Sequence, residues 1–212
     1  MIKYFEFEKS IEKIDHKIEE LKKDNQLDNK IIKDNLFTKQ NELKKIYSNL
    51  TSWQKVQVAR HPDRPHTLDY INNIFTNFIP LSGDKKFGED PAIVGGIAKI
   101  ENKSVIIIGN EKGSSMETRI HHNFGMAKPE GYRKAQRLMK LSEKFKIPLV
   151  TFVDTPGAFP GKDAEERGQS ESIASSISLS LKIKSPIISI IIGEGGSGGA
   201  IALATADKTL ML

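Results

Sequence analysis

Gly193-Glu194-Gly195-Gly196-Ser197-Gly198-Gly199-Ala200 is the stretch whose reading decides the fold. It follows an apolar run, Pro186-Ile187-Ile188-Ser189-Ile190-Ile191-Ile192, which reads as a buried strand. It precedes Ile201-Ala202-Leu203-Ala204-Thr205-Ala206, small and apolar enough for a short, tightly packed helix. Strand, glycine turn and helix together present bare backbone N–H groups at a helix N-terminus, where negative charge is favoured. Five glycines in the seven residues 193–199 weaken any regular element, so their presence wants a reason. One reason is an oxyanion hole, with donors aimed at an oxygen that becomes negative during a reaction. The other is a tight packing turn.

Working outward, Pro148-Leu149-Val150-Thr151-Phe152-Val153 reads as another strand. It runs into a second irregular turn, Asp154-Thr155-Pro156-Gly157-Ala158-Phe159-Pro160-Gly161. Pro129 opens a helix through Phe145, and residues 164–183 form a further helix. From Ala92, two apolar runs, 93–100 and 105–109, flank a hairpin-like turn at 101–104. Strands alternating with helices predict an α/β fold with a largely parallel sheet. In such sheets ligands bind beyond the strands' carboxyl ends, where both odd turns lie. The convergence predicts one active site built from 154–161 and 193–199.

Upstream, Ile11, Ile14, Ile18 and Leu21 form a narrow helical stripe. Asp24-Asn25-Gln26 breaks it, and Ile32, Leu36, Leu43, Ile46 and Leu50 form a second. The expected organisation is a helical hairpin over 1–50, a linker with one helix over 51–91, and the main domain over 92–212. Thr67 is the expected N-cap of a helix reaching Asn77. Residues 110–128 read as a surface loop; His121-His122 make a weak metal pair, because neighbours point to different faces. The apolar run at 208–212, with nothing after it, reads as the edge of a partial chain.

Composition narrows the function classes. The 212 residues contain no cysteine, which excludes disulfides, thiolate metal sites and a cysteine nucleophile. No apolar run is long enough to span a bilayer, and the acidic start lacks an apolar signal core, so a cytoplasmic protein is expected. Net charge is +5, and the excess sits in residues 51–145, with 15 basic and 10 acidic side chains. That suits a phosphate-bearing ligand or acidic partner; a solvated surface is an equally fair account. Arg60, His61, Arg64 and His66 suit an anionic ligand, or more commonly loop-anchoring ion pairs. No aromatic–basic interleaving points to nucleic acid.

Three motifs compete at the glycine turn. Residues 195–199 match the G-x-S-x-G nucleophile elbow around Ser197, but in that fold the histidine base follows the serine, and the last histidine is His122. Residues 154–157 match D-x-x-G, yet no phosphate-cradling G-x-x-x-x-G-K-[ST] accompanies them. Residues 193–198 match G-x-G-x-x-G without the acidic residue a dinucleotide site needs. Backbone donors for an enolate-like oxygen remain.

Taken together, several segments resemble the carboxyltransferase alpha subunits of bacterial acetyl-coenzyme A carboxylases. They are 193–200, 154–161, Ala164-Glu165-Glu166-Arg167-Gly168-Gln169-Ser170-Glu171, Asn123-Phe124-Gly125-Met126, Pro129–Ala135, Arg64-Pro65 and Thr67–Tyr70. The resemblance implies a crotonase- or ClpP-like ββα spiral. It implies carboxyl transfer from carboxybiotin on a carrier protein to acetyl-coenzyme A, giving malonyl-coenzyme A for fatty acid biosynthesis. It implies an α2β2 assembly with a zinc-ribbon beta subunit, served by biotin carboxylase, and no metal on this chain. Gly198 and Gly199 would supply the oxyanion amides and Gly157 and Ala158 a second pair, with Gly195, Gly196, Ser197 and Phe159 lining the substrate. His122 stands where an arginine is usual, and Phe159 where a tyrosine is. Residues 113–118 carry fewer charges than the family pattern, and a C-terminal part of the family domain is missing. A serine hydrolase on a related fold, or a non-catalytic scaffold, are the rival classes.

Overall fold

The computed structural model describes residues 3–23 and 29–212. The chain divides into two compact units, Met1–Asp63 and Arg64–Leu212. The division falls inside the expected 51–91 linker, and the part of it from Arg64 onward belongs with the larger unit.

The smaller unit holds α1 (Lys9–Lys23), α2 (Asn29–Tyr47) and α3 (Ser52–Ala59). Ile11 and Ile18 of the expected stripe are buried. Ser10 bonds Glu42 at 3.1 Å, Lys39 pairs with Asp15 at 2.5 and 2.7 Å, and the Tyr47 hydroxyl donates to Glu8 at 2.6 Å. Early residues of one helix meet late residues of the other, so the hairpin is antiparallel as expected. The break at Asp24-Asn25-Gln26 lies outside the described residues. Leu36 is 42% exposed and falls off the stripe. Thr51 and Gln54 cap α3 reciprocally through side chain and backbone.

The larger unit is a six-stranded sheet of β1 (Thr76–Pro80), β2 (Ile93–Ile100), β3 (Lys103–Asn110), β4 (Leu149–Thr155), β5 (Ile187–Gly195) and β6 (Lys208–Met211), in that spatial order. The first three strands pair antiparallel and β3 to β6 pair parallel. The β2–β3 turn is two residues, Glu101 and Asn102, both with positive φ, as a tight hairpin demands. The helices are α4 (Thr67–Ile74), α5 (Met116–His121), α6 (Pro129–Phe145), α7 (Lys162–Glu166), α8 (Gln169–Ser180) and α9 (Ser197–Ala204).

Period-two alternation gives each sheet face its own core. Ile106, Ile108, Leu149 and Val153 pack with Tyr132, Ala135, Leu138 and Met139 of α6 and with Ala202 and Leu203 of α9. Val105, Ile107, Phe152 and Ile192 pack with Ile71 of α4. Pro129 occupies the first position of α6. Asp90 caps that helix from a distance, accepting the Lys128 N–H at 2.7 Å. Burial pushes the Asp90 carboxyl above its ordinary range, and the hydrogen bonds from Lys128 and Ala92 only partly oppose this.

Several boundaries differ from expectation. The α4 helix stops at Ile74, because Thr76–Pro80 is drawn into the sheet edge beside β2. Its cap is His66, whose N–H donates to Asp69 at 2.8 Å, and Thr67 turns inward to Asn110 instead. Residues 110–128 contain α5 and a single 3-10 turn over Asn123–Gly125. The helix expected over 164–183 is split at Gly168, which has φ +81°. The last helix begins inside the glycine run, at Ser197. Much of the basic excess of 51–145 is spent internally. Arg133 pairs with Asp84 at 2.7 Å, and Arg137 donates to the carbonyls of Leu81, Ser82 and Gly83, pinning that loop to α6.

Candidate active site

Strands β4 and β5 run in parallel register to Thr155 opposite Gly195, with an irregularity after Val153. Each strand then releases one of the two turns. The Thr155 hydroxyl closes its own turn, donating to Gly157 O at 2.7 Å and accepting the Gly157 N–H at 3.1 Å. The glycine turn is tied back across the strands, since the Gly196 N–H donates to Thr155 O at 2.8 Å.

Glycine is required at two points of this junction. A Cβ on Gly196 would overlap the Pro156 carbonyl. One on Gly199 would lie 2.6 Å from the Ala158 nitrogen, 2.7 Å from the Gly157 carbonyl carbon and 2.8 Å from the Tyr132 hydroxyl. The missing side chains let the turns touch backbone to backbone. By contrast, a Cβ on Gly198 would meet Ile173 at 3.5 Å, and one on Gly195 would meet Ile191 at 3.4 Å, both tolerable distances. Gly199→Ala is therefore expected to lower unfolding free energy by about 1–3 kcal/mol through overpacking, and Gly198→Ala not to lower it. Denaturant titration of both variants checks this.

The start of α9 leaves several backbone amides without a partner inside the helix. Ala200 is the first amide to bond within α9, to Gly196 O at 3.1 Å. The amides of Ser197, Gly198 and Gly199 precede it at the positive end of the helix. Across from Gly199 lies the Ala158 amide. Gly157 has φ +153° and open space where a Cβ would point. The Gly157 N–H is engaged by Thr155, and the Ala158 nitrogen lies against Gly199 of α9. Ser197 is exposed and holds φ +57°, a left-handed conformation unusual for serine. Phe159 follows the turn, half-buried, with Lys128 Nζ 4.9 Å above its ring. The structure thus brings Gly157, Ala158, Gly195, Gly196, Ser197, Gly198 and Gly199 to one place.

Beneath the turns is an ion network that sequence reading did not assemble. Asp154 is fully buried and pairs with Arg64, with Lys112 at 3.3 Å and with His66 Nδ1 at 3.4 Å. It also accepts the Glu194 N–H at 3.1 Å, and Lys112 pairs onward to Glu194. A Cβ on Gly193 would intrude on the Arg64–Asp154 pair. Burial drives the Asp154 carboxyl upward, but the His66 and Arg64 hydrogen bonds and the Lys112 and Arg64 charges win, leaving it at about 2. Arg64 and His66 are thus loop anchors. Of the G-x-S-x-G reading little remains, since among the described residues no hydrogen bond joins Ser197 to a histidine, and His122 Nδ1 is taken by the Pro91 carbonyl at 2.6 Å. Among the described residues no group of three metal-ligating side chains is gathered, and no helix is long and apolar enough to cross a membrane.

The family described as acetyl co-enzyme A carboxylase carboxyltransferase-like matches residues 4–212. The acetyl-coenzyme A carboxylase carboxyl transferase subunit alpha of Rhodospirillum centenum is 55% identical over 213 residues, covering 99% of this chain and 67% of that protein. Its counterpart in Nitrosomonas europaea is 55% identical over 215 residues, with 100% and 67% covered. Among solved structures, transcarboxylase 12S with hydrolysed methylmalonyl-coenzyme A bound superposes with a TM-score of 0.60 at 22% identity, covering 74% of this chain and 30% of that one. The beta subunit of geranyl-CoA carboxylase from P. aeruginosa gives 0.55 at 22% identity, covering 68% and 26%. This chain spans less than a third of either solved chain. These two likenesses concern the fold alone and bear out the crotonase-like α/β class. With a family match over nearly its whole length and relatives at this identity, the chain belongs to the acetyl co-enzyme A carboxylase carboxyltransferase-like family.

Proposed function

We propose that this chain is the alpha half of a carboxyltransferase that moves a carboxyl group from carboxybiotin to acetyl-coenzyme A, giving malonyl-coenzyme A. The observation that carries the reading is the meeting of two backbone turns at the carboxyl ends of β4 and β5, with the Ala158 nitrogen against Gly199 in the first turn of α9. Carboxybiotin, carried on its protein, supplies the activated carboxyl group. The chain's own part is to hold an oxygen that gains negative charge, using the Gly198, Gly199 and Ala158 amides. The open space beside Gly157 suits a group that presents such an oxygen on a flat carbonyl. Neutral amides suit it because they need no proton transfer and no reorientation as charge develops. A zinc-ribbon beta subunit would complete the site in an α2β2 assembly, in the cytoplasm.

The test is reconstitution with the beta subunit, biotinylated carrier, biotin carboxylase, bicarbonate, ATP and acetyl-coenzyme A. Malonyl-coenzyme A formation that depends on this chain is the expected result. A stable complex with the beta subunit and no turnover would replace the proposal with a scaffold. Labelling of Ser197 by a fluorophosphonate would replace it with a hydrolase.

A further inference from the structure

The 154–161 turn is held at its far end by one side chain. Gln169 opens α8, just after the left-handed Gly168 turns the chain inward, and is 3% exposed. Its Nε2 donates to Ala127 O at 2.9 Å and to Phe159 O at 3.0 Å. The Phe159 N–H donates to the same Ala127 carbonyl at 3.0 Å. Phe159 is thus fixed through both its N–H and its C=O, and Ala158 is the residue immediately before it. The anchor at the other end, Ala127, is fully buried two residues before α6.

The Gln169 carboxamide oxygen is buried without a hydrogen-bond partner. An unpaired buried acceptor costs stability, and an apolar side chain of equal length would avoid it. Two amide hydrogens bridging two carbonyls set a distance, and an apolar residue cannot do that. We infer that Gln169 is a positioning residue for the transfer reaction, setting the height of the Ala158 amide opposite Gly198 and Gly199. The inference rests on the proposed function. A displacement of the order of 1 Å at a reacting centre costs about 10²-fold in rate.

The test uses the full reconstituted complex. Gln169→Met is expected to lower kcat about 10²-fold and to leave KM for acetyl-coenzyme A within about twofold. Gln169→Asn, which keeps a polar group but loses reach, serves in its place if the methionine variant does not fold. The decisive arm is the double variant with Gly198→Pro. Once an α9 donor is gone, Gln169→Met should cost little more, because both changes damage one oxygen-binding pocket. An unchanged kcat, or a loss that multiplies fully with Gly198→Pro, overturns the inference. If Gly198→Pro alone leaves the rate untouched, the proposed site itself fails, which is a distinguishable result.

Discussion

Gly198→Pro should cut the rate of malonyl-coenzyme A formation by about 10²–10³, the usual cost of losing one oxyanion donor. Proline removes the amide hydrogen at the second position of α9, where no bond inside the helix is lost. The comparison that isolates the amide is Gly198→Ala. Its Cβ meets Ile173 at an ordinary contact distance of 3.5 Å and the N–H is kept, so it should stay near the wild-type rate. Turnover by both variants is read alongside thermal melting and binding of the beta subunit. A folded, assembled proline variant with full activity would remove α9 from the site and leave the 154–161 turn to act alone.

The second large effect concerns stability. Asp154→Ala leaves the Arg64 and Lys112 side chains, 12% and 14% exposed, without their shared buried counter-charge. Removing one partner of such a network costs about 3–5 kcal/mol. The pH dependence has a definite sign. The Asp154 carboxyl falls from an ordinary 3.8 to about 2 on folding, so its contribution is full at neutral pH. It is lost as pH drops from about 4 towards 2, where the folded-state carboxylate takes up its proton. Urea titrations of both proteins should show a gap that is widest above pH 5 and narrows steadily below 4. A gap equal at pH 5 and pH 3 would contradict the assigned charge.

What could be read in advance depended on the range of the forces involved. The α6 helix was legible to the residue because Pro129 fixes its start and a 3.6-residue apolar period runs to Phe145. Strand β1 was not. Thr76–Pro80 carries no alternation, and only the β2 edge beside it makes it a strand. The break at Gly168 was hidden by the Ser- and Ala-rich run around it. At the glycine turn the packing reading holds at some positions and not at others. Gly193, Gly196 and Gly199 make room for close approach, whereas Gly195 and Gly198 face ordinary space. Composition alone cannot make that division, because it depends on Pro156, Ala158 and Arg64 arriving from distant parts of the chain. The basic excess left a ligand and a solvated surface open for the same reason: the carboxylate and carbonyl partners of Arg133 and Arg137 lie on a loop some fifty residues upstream.

The backbone-to-backbone contact between the two turns also bears on inhibition and resistance. A small molecule that grips only main-chain atoms at this junction meets a surface whose chemistry no codon specifies. Escape by substitution would have to alter the shape of the junction instead. At Gly196 and Gly199 any larger residue collides with the opposing turn before it reaches the drug. Routes left open include Gly198, Gly195, the exposed Ser197 and the half-buried Phe159, positions to survey before such a compound is developed.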